Sequence, residues 1–167
     1  MNTIIITGAP GVGKTTTLPA ICDKLPQKNG FIDGDSVGRT QPLDIELDRL
    51  NLIQDNICAC AQNFQKWEAE WFVVGFVLPT EERIQRLSNA LKKLGCNVHI
   101  IALVADKETL TKRNKEKSES YGRDPGSILG AIELNEMIKD IKEIHIIDTT
   151  TMSVNQVAEQ IVEHCNI

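Results

Sequence analysis

The sequence lacks an excess of basic charge. Its 18 lysines and arginines are outnumbered by 23 aspartates and glutamates, which gives a net charge of −5. A chain with this charge offers no broad basic surface, so we do not expect it to bind nucleic acid or an anionic membrane. An anionic ligand must therefore be held by a local group of cations.

The chain also lacks a long apolar run and a cysteine framework. No stretch approaches the roughly 20 apolar residues of a membrane-spanning helix, and no basic region precedes the short apolar run near the amino terminus, as it would in a signal peptide. The five cysteines are an odd number without the spacing of paired disulfides or of a zinc site. We therefore expect reduced thiols and a cytoplasmic protein without a membrane segment.

The most specific pattern is a glycine-rich segment, GAPGVGKT, that follows an apolar run at residues 4–6. The run predicts a strand buried on both faces of a parallel sheet. The segment matches the P-loop pattern over residues 8–15, and a helix is predicted to begin near Gly13. In this pattern backbone N–H groups surround a polyphosphate, Lys14 contacts its outer phosphates and the Thr15 hydroxyl is placed to bind Mg²⁺. Three glycines permit the backbone conformations of such a loop: Gly8, Gly11 and Gly13.

Apolar runs alternate with helical periodicity along the rest of the chain. Helical segments separate the further predicted strands, which cover residues 31–32, 71–78, 98–104 and 144–148. This alternation predicts one α/β domain in which helices cover both faces of a parallel five-stranded sheet. Ligands of such sheets lie at the carboxyl ends of the strands, which is where the P-loop is predicted to lie.

Two carboxylates flank a glycine at the end of the second predicted strand, in Asp33-Gly34-Asp35. Beside a P-loop, such a pair can divide two tasks. One carboxylate binds Mg²⁺, usually through water, and the other accepts the proton of a substrate hydroxyl. Asp33 is nearer to the strand and to Thr15, so we assign it to the metal and assign Asp35 to the hydroxyl. The alternative is an ordinary surface turn, since Asp and Gly are common in turns.

A group of basic residues surrounds the polar loop SESYGRDPG. Negative charge spreads over a phosphoryl group during transfer, and arginine or lysine side chains stabilise it. We predict this role for Arg113 and Arg123, beside a glycine-containing loop that can close over a ligand. The neighbouring lysines alternate with glutamates and are interpreted as a solvated helix face: Lys112, Lys115 and Lys117.

An acidic residue is missing from the third predicted strand, WFVVGFVL. GTPases and motor-type P-loop proteins carry a metal-binding carboxylate there, and the Asn-Lys-x-Asp guanine signature is absent from the chain as well. These absences argue against both classes. The carboxylates that follow the second strand are then the candidate metal ligands.

Four segments together resemble the small P-loop kinases of the nucleoside-monophosphate, shikimate and gluconate kinase type: GAPGVGKTT, FIDGDSVGR, LTKRN with YGRDPG, and IIDTTTMSVNQVAEQIV. The likeness covers essentially the whole chain. It implies a three-layer P-loop NTPase fold with the sheet order 2-3-1-4-5, formed as a single domain over residues 1–167. It also implies a short lid at about residues 113–127, after the fourth strand.

The resemblance further assigns residues to ATP and Mg²⁺. The triphosphate and the metal ion would be held by Gly8, Gly11, Val12, Gly13, Lys14, Thr15 and Thr16. Arg113 would lie against the adenine and Arg123 would reach the phosphates. Thr149 and Thr150 would form the loop at the adenine edge.

On the acceptor side, Asp35 resembles the aspartate of the shikimate and gluconate kinase branch. The resemblance implies that Arg49 faces the substrate, and Gly75 stands where shikimate kinases carry a glycine-rich stretch. We therefore expect an ATP- and Mg²⁺-dependent kinase that phosphorylates a hydroxyl or phosphate group of a small molecule. Its catalytic residues would be Lys14, Asp35 and Arg123.

Two alternatives remain open. The missing carboxylate of the third strand is compatible with a nucleotide-binding module, or a degenerate kinase, that does not transfer phosphate. A polynucleotide-end kinase would need a basic groove, and the net charge of −5 argues against it. For the assembly, we expect a monomer or a homodimer.

Overall fold

The computed structural model describes residues 1–26, 28–38, 47–121, 127–142 and 144–166. Within them, the strands are β1 (Asn2–Gly8), β2 (Asn29–Asp33), β3 (Trp71–Gly75), β4 (Asn97–Val104) and β5 (His145–Asp148). The helices are α1 (Lys14–Cys22), α2 (Leu47–Lys66), α3 (Glu81–Lys93), α4 (Lys107–Tyr121), α5 (Ser127–Lys139) and α6 (Val154–His164). A short 3₁₀ turn, Gly34–Ser36, follows β2. No helix in this part of the chain is long and apolar enough to cross a membrane.

β1 is the central strand of an all-parallel sheet with the order β2-β3-β1-β4-β5. It pairs with β3 on one side and with β4 on the other, and Ile4, Ile5 and Ile6 are completely buried. A strand that is covered on both faces is apolar at successive positions rather than at alternate ones. The predicted fold class, with parallel strands in the order 2-3-1-4-5, is confirmed.

Helices cover both faces of the sheet and make the fold a three-layer one. Ile4 and Ile6 pack with apolar residues of α1 and α6, whereas Ile5 packs with those of α2 and α3. Successive side chains of a strand point to opposite faces, so the apolar run of β1 contributes to both clusters. The inner face of α3 is fully buried at the positions expected from its helical spacing, Ile84, Leu87 and Leu91.

β3 ends at Gly75 rather than at residue 78, because its pairing with β1 and with β2 ends there. Gly75 pairs with Ile6 of β1 and with Asp33, the last residue of β2. Beyond it, the N–H of Leu78 donates to the hydroxyl of Thr7 at 3.1 Å instead of to a strand carbonyl. The Thr7 side chain of β1 therefore accepts a backbone N–H that would bond to a strand carbonyl if β3 were longer.

Two buried threonines of β1 differ in their hydrogen bonding. The Thr7 hydroxyl accepts the Leu78 N–H and lies 3.4 Å from the Leu78 carbonyl oxygen, to which it donates. Thr3 is also completely buried, but its hydroxyl has no hydrogen-bond partner among the described residues. Thr7 thus anchors the segment after β3, whereas Thr3 contributes only packing.

We expect Thr7→Val to lower the free energy of unfolding by about 1–3 kcal/mol, the usual cost of leaving a buried backbone donor without its partner. Valine has nearly the shape of threonine, so the packing is retained. The matched control is Thr3→Val, which removes an unpaired buried hydroxyl and should leave stability unchanged or raise it. Urea unfolding followed by circular dichroism measures both variants. Equal destabilisation by the two substitutions would contradict the anchoring role of Thr7.

Candidate functional site

The glycine-rich loop connects the end of β1 to the start of α1. Gly8, Gly11 and Gly13 all have positive φ angles, of 142°, 92° and 107°. A β-carbon at Gly11 would lie 2.3 Å from the amide nitrogen of Asn114, so both the backbone conformation and the available space require glycine there. Within the described residues, the N–H groups of Gly11 and Gly13 donate no hydrogen bond. These donors are available to an anion.

The loop lines a cavity of about 500 Å³, a volume typical of small-molecule sites. Further walls come from the turn after β2, from α4 and from the segment between β5 and α6. Besides loop residues 10–13, the wall includes the predicted site residues Lys14, Thr15, Thr16, Asp35, Arg113 and Thr149. The structure therefore brings the P-loop, one carboxylate of the predicted pair and one lid arginine to the same cavity.

Asp33 contacts both the start of α1 and the turn that carries Asp35. Its Oδ2 atom accepts the hydroxyl proton of Thr15 at 2.6 Å, and its Oδ1 atom accepts the N–H of Asp35 at 3.0 Å. The side chain of Asp35 is exposed and lines the cavity. The two carboxylates thus occupy different positions, Asp33 beside Thr15 and Asp35 on the cavity wall.

Thr15 and Asp33 bring a hydroxyl and a carboxylate oxygen, the ligand types that Mg²⁺ prefers, to one place, where a hydrogen bond now joins them. Two oxygens that bind one Mg²⁺ at a right angle lie about 3 Å apart, because each Mg–O distance is about 2.1 Å. Here the two oxygens are 2.6 Å apart. Among the described residues, no group of three or more histidines, cysteines, aspartates or glutamates converges on a point. An ion at this place would therefore take most of its ligands from water and phosphate.

Lys14 is held by the loop that it follows. Its ammonium group donates to the carbonyl oxygens of Gly8 at 2.7 Å and of Ala9 at 3.0 Å. Burial lowers the pKa of Lys14 from 10.5 to about 8; the carboxylates of Asp35 and Asp33 oppose this shift, and the charge of Lys117 adds to it. The charged form of Lys14 is therefore less stable in the site than in water, and an anionic ligand would stabilise it by providing a counter-charge.

Arg113 joins α4 to the segment between β5 and α6. Its Nη1 donates to the hydroxyl oxygen of Thr149 at 3.0 Å, and its Nη2 donates to the carbonyl oxygen of the same residue at 2.9 Å. The Thr149 hydroxyl also lies 3.0 Å from the carbonyl oxygen of Val12 in the P-loop. Thr150 lies outside the cavity wall, and its hydroxyl donates to the carboxylate of Asp148 at 2.6 Å.

Like Thr150, the predicted residues Gly8 and Asp33 are not part of the described cavity wall, and the predicted acceptor and lid residues Gly75, Arg49 and Arg123 are not found there either. Gly75 is buried at the end of β3, where a β-carbon would lie 3.1 Å from the side chain of Leu18. Arg49 lies in the first turn of α2, and its Nε atom is buried without a hydrogen-bond partner among the described residues. Arg123 lies outside the described residues, as do lid residues 122–126.

Two residues of α4 contact the site although the sequence analysis gave them no part in it. Lys117 lines the cavity, whereas its charged surroundings had favoured a solvated helix face. Its spacing of four residues from Arg113 puts both on one face of a helix, which is a signal for this position. Asn114 is buried and donates to the carbonyl oxygen of Pro10 at 3.0 Å. That contact joins residues far apart in sequence, so no local pattern indicates it.

A family model and a solved structure match most of the chain. The model, AAA_33, is described as an AAA domain and matches residues 4–144. A tunicamycin resistance protein from Deinococcus radiodurans has a similar structure, with a TM-score of 0.72 and 23% sequence identity over 99% of this chain and 96% of that one. None of the curated proteins compared with the chain matches it.

Structures of small-molecule kinases are similar over almost their full length as well. A gluconokinase from Sinorhizobium meliloti 1021 has a TM-score of 0.69 and 14% identity, covering 99% of this chain and 95% of that one. The APS kinase of Mycobacterium tuberculosis, solved with AMPPNP and APS, has a TM-score of 0.70 and 16% identity, covering 99% and 98%. At these identities the likeness establishes the fold of the small P-loop kinases.

We expect Lys14→Met to stabilise the ligand-free protein at pH 7, with a gain that shrinks as the pH rises from about 8 to 10.5. The folded-state pKa of Lys14 lies near 8 and its ordinary value is 10.5, so between these values the unfolded chain binds the extra proton. The stability of the unsubstituted protein therefore rises with pH in this window, and the methionine variant lacks that contribution.

Urea unfolding of both proteins at pH 7, 8, 9 and 10 measures the difference. Lys115→Met is the matched control, since Lys115 is exposed on α4 and lies outside the cavity wall. That control should follow the unsubstituted protein at every pH. A stability difference for Lys14→Met that does not change with pH would contradict the lowered pKa.

Proposed function

Because the chain belongs to the AAA_33 family of AAA domains and has the fold of the small P-loop kinases, we propose that it is an ATP-dependent phosphotransferase. It transfers the γ-phosphate of ATP to a hydroxyl or phosphate group of a small molecule. The observation that carries this proposal is the position of Asp35. An exposed carboxylate lines the same cavity as the P-loop and Lys14, which is the combination that phosphate transfer to a bound acceptor needs.

The triphosphate of ATP binds along the P-loop in this proposal. The free N–H groups of Gly11 and Gly13 and the amino-terminal end of α1 receive the phosphate oxygens. Lys14 supplies a positive charge, and Lys117 faces it from α4. Arg113, Thr149 and the apolar side chain of Met152 form the wall that is left for the nucleobase. The AMPPNP bound to the similar APS kinase supports the choice of an adenine nucleotide.

Thr15 and Asp33 would hold Mg²⁺ in this site. When bound, Mg²⁺ would neutralise negative charge on the phosphates. Asp33 also fixes the turn that carries Asp35, through the N–H of Asp35. Asp33 thus bonds both to Thr15, the other proposed metal ligand, and to Asp35, the proposed acceptor contact.

Asp35 acts as the general base when the acceptor group is a hydroxyl. Its carboxylate takes the hydroxyl proton while the acceptor oxygen forms a bond to the γ-phosphorus and the bond to the leaving ADP oxygen breaks. Lys14 and Arg123, the two other proposed catalytic residues, stabilise the charge on the phosphoryl group. Arg49, Gly75 and Asp35 remain the proposed acceptor contacts, and the similar gluconokinase and APS kinase support a small anionic acceptor. We propose a cytoplasmic enzyme that is a monomer or a homodimer.

The second candidate function is nucleotide binding without phosphate transfer. One observation favours it: Gly75 stands at the end of β3, beside Ile6 and Asp33, where many P-loop proteins have an acidic residue. A polynucleotide-end kinase is less well supported, because a net charge of −5 offers little attraction for a phosphate backbone.

We expect ATP with Mg²⁺ to raise the melting temperature, because a ligand that binds only the folded state stabilises it. We then expect ADP to form when one acceptor is added from a panel of sugar acids, nucleosides, nucleotides and short oligonucleotides. Thermal shift and a coupled ADP assay measure the two steps. Stabilisation without turnover on any acceptor would favour the second candidate function. No stabilisation by any nucleotide would contradict both.

We expect Asp35→Asn to reduce turnover by about 10²–10⁴-fold, the usual contribution of a general base, while nucleotide affinity is retained. Asp33→Asn should instead raise the Mg²⁺ concentration needed for half-maximal rate, because it weakens the proposed metal contact. Steady-state kinetics at a series of Mg²⁺ concentrations separates the two effects. If Asp35→Asn shifts the Mg²⁺ dependence and Asp33→Asn does not, the two assignments are reversed.

A further inference from the structure

Asn114 of α4 contacts the P-loop at Pro10 and Gly11. The residue is 9% exposed, and its side-chain nitrogen donates to the carbonyl oxygen of Pro10 at 3.0 Å and to that of Leu110 at 2.9 Å. A carboxamide nitrogen has two hydrogens, so it can make both bonds at once. The same nitrogen would lie 2.3 Å from a β-carbon at Gly11. The loop therefore packs against this amide as closely as glycine allows.

The bond to Pro10 has a consequence for the next residue. A trans peptide unit is planar, and its C=O and N–H groups point in opposite directions. When Asn114 fixes the carbonyl of Pro10, it also fixes the N–H of Gly11, which points away from Asn114. That N–H donates no hydrogen bond within the described residues, and Gly11 is part of the cavity wall. The amide of Asn114 thus sets the direction of one donor that is free to bind an anion.

A second peptide unit of the loop is held in the same way. The carbonyl oxygen of Val12 lies 3.0 Å from the hydroxyl of Thr149, and Thr149 is itself bound by Arg113. The Thr149 hydroxyl has a single proton and lies 3.0 Å from the carbonyl oxygen of Val104 as well, so it holds the Val12 peptide unit, with the N–H of Gly13, less firmly than Asn114 holds that of Pro10. Of the neighbouring α4 residues, Asn114 therefore contacts the P-loop directly, whereas Arg113 acts on it only through Thr149.

We propose that Asn114 is a positioning residue of the phosphate site, one that orients the Gly11 N–H through the Pro10 carbonyl. The inference rests on the proposed function, since it requires that phosphates bind at the loop. Asparagine suits the position because it is short enough to pack against Gly11 and carries two donors. Aspartate lacks the donors, and leucine has a similar size with no polar group.

The test is the affinity for inorganic tripolyphosphate at a fixed Mg²⁺ concentration, which reports on phosphate binding without a nucleobase. We expect Asn114→Leu to weaken the binding about tenfold or more, the loss that corresponds to one misaligned hydrogen bond to a charged group. Glycine-selective ¹⁵N labelling gives a direct signature. In the unsubstituted protein tripolyphosphate should shift the Gly11 amide signal, and in the variant this shift should be lost.

Asn135→Leu is the matched control. Asn135 is a fully buried asparagine of α5 that bonds to the backbone N–H and C=O of Ala105, at 3.1 Å and 2.9 Å, and lies outside the cavity wall. Its substitution should lower the melting temperature and leave tripolyphosphate affinity unchanged. Asn114→Ser is a second variant that places no bulk against Gly11 and whose hydroxyl is too short to reach the loop; it should show the same tenfold loss.

The outcomes separate this inference from the proposed function. If the unsubstituted protein binds neither tripolyphosphate nor ATP, the proposed function itself fails. If the unsubstituted protein binds tripolyphosphate and both Asn114 variants bind it equally well, Asn114 has only a structural role and the inference is overturned. If the affinity falls equally for Asn135→Leu and Asn114→Leu, the effect is one of general stability and the inference is overturned as well.

Discussion

The pairing of β1 with a neighbour on each side is the constraint on which the rest of the site depends. β1 is hydrogen-bonded to β4 up to Gly8 and to β3 up to Ile6, so the point at which the chain leaves the sheet is fixed on both sides. The glycine-rich loop begins at that point, and α1 begins six residues after Gly8, at Lys14. Parallel pairing also brings the end of β2 to the same edge, which is why Asp33 meets Thr15. The register of the strands thus determines where the P-loop begins and which residues lie beside it.

Most of the fold and the local part of the site could be predicted from the sequence. The apolar residues 4–6 and the glycine spacing that follows are local patterns, and they identify both a buried central strand and a loop of backbone donors. The end of β3 could not be predicted, because it is set by pairing with β1 and β2, beyond which Leu78 bonds to the Thr7 hydroxyl. Asn114 and Lys117 were missed for a related reason. Their positions depend on how α4 packs against a loop about a hundred residues earlier. The helical spacing of Lys117 from Arg113 is the one local signal for that contact, and Asn114 has none.

The charges around the cavity explain how an acidic protein can present a site for an anion. The ammonium group of Lys14 lies on the loop carbonyls, and Lys117 and Arg113 line the same cavity from α4. The basic residues needed for a polyphosphate are therefore concentrated at one place, while the net charge of the chain is −5. Asp35 and Asp33 lie close enough to favour the charged form of Lys14, so these two carboxylates help to retain the cation beside the loop.

The two oxygens of Asp33 connect parts of the site that would otherwise be independent. One oxygen accepts the proton of Thr15 at the start of α1, and the other accepts the backbone N–H of Asp35 in the turn after β2. A ligand that moves Thr15 away from Asp33 therefore changes the anchoring of the turn that carries Asp35. A substitution of Asp33 would therefore remove a contact from both places at once.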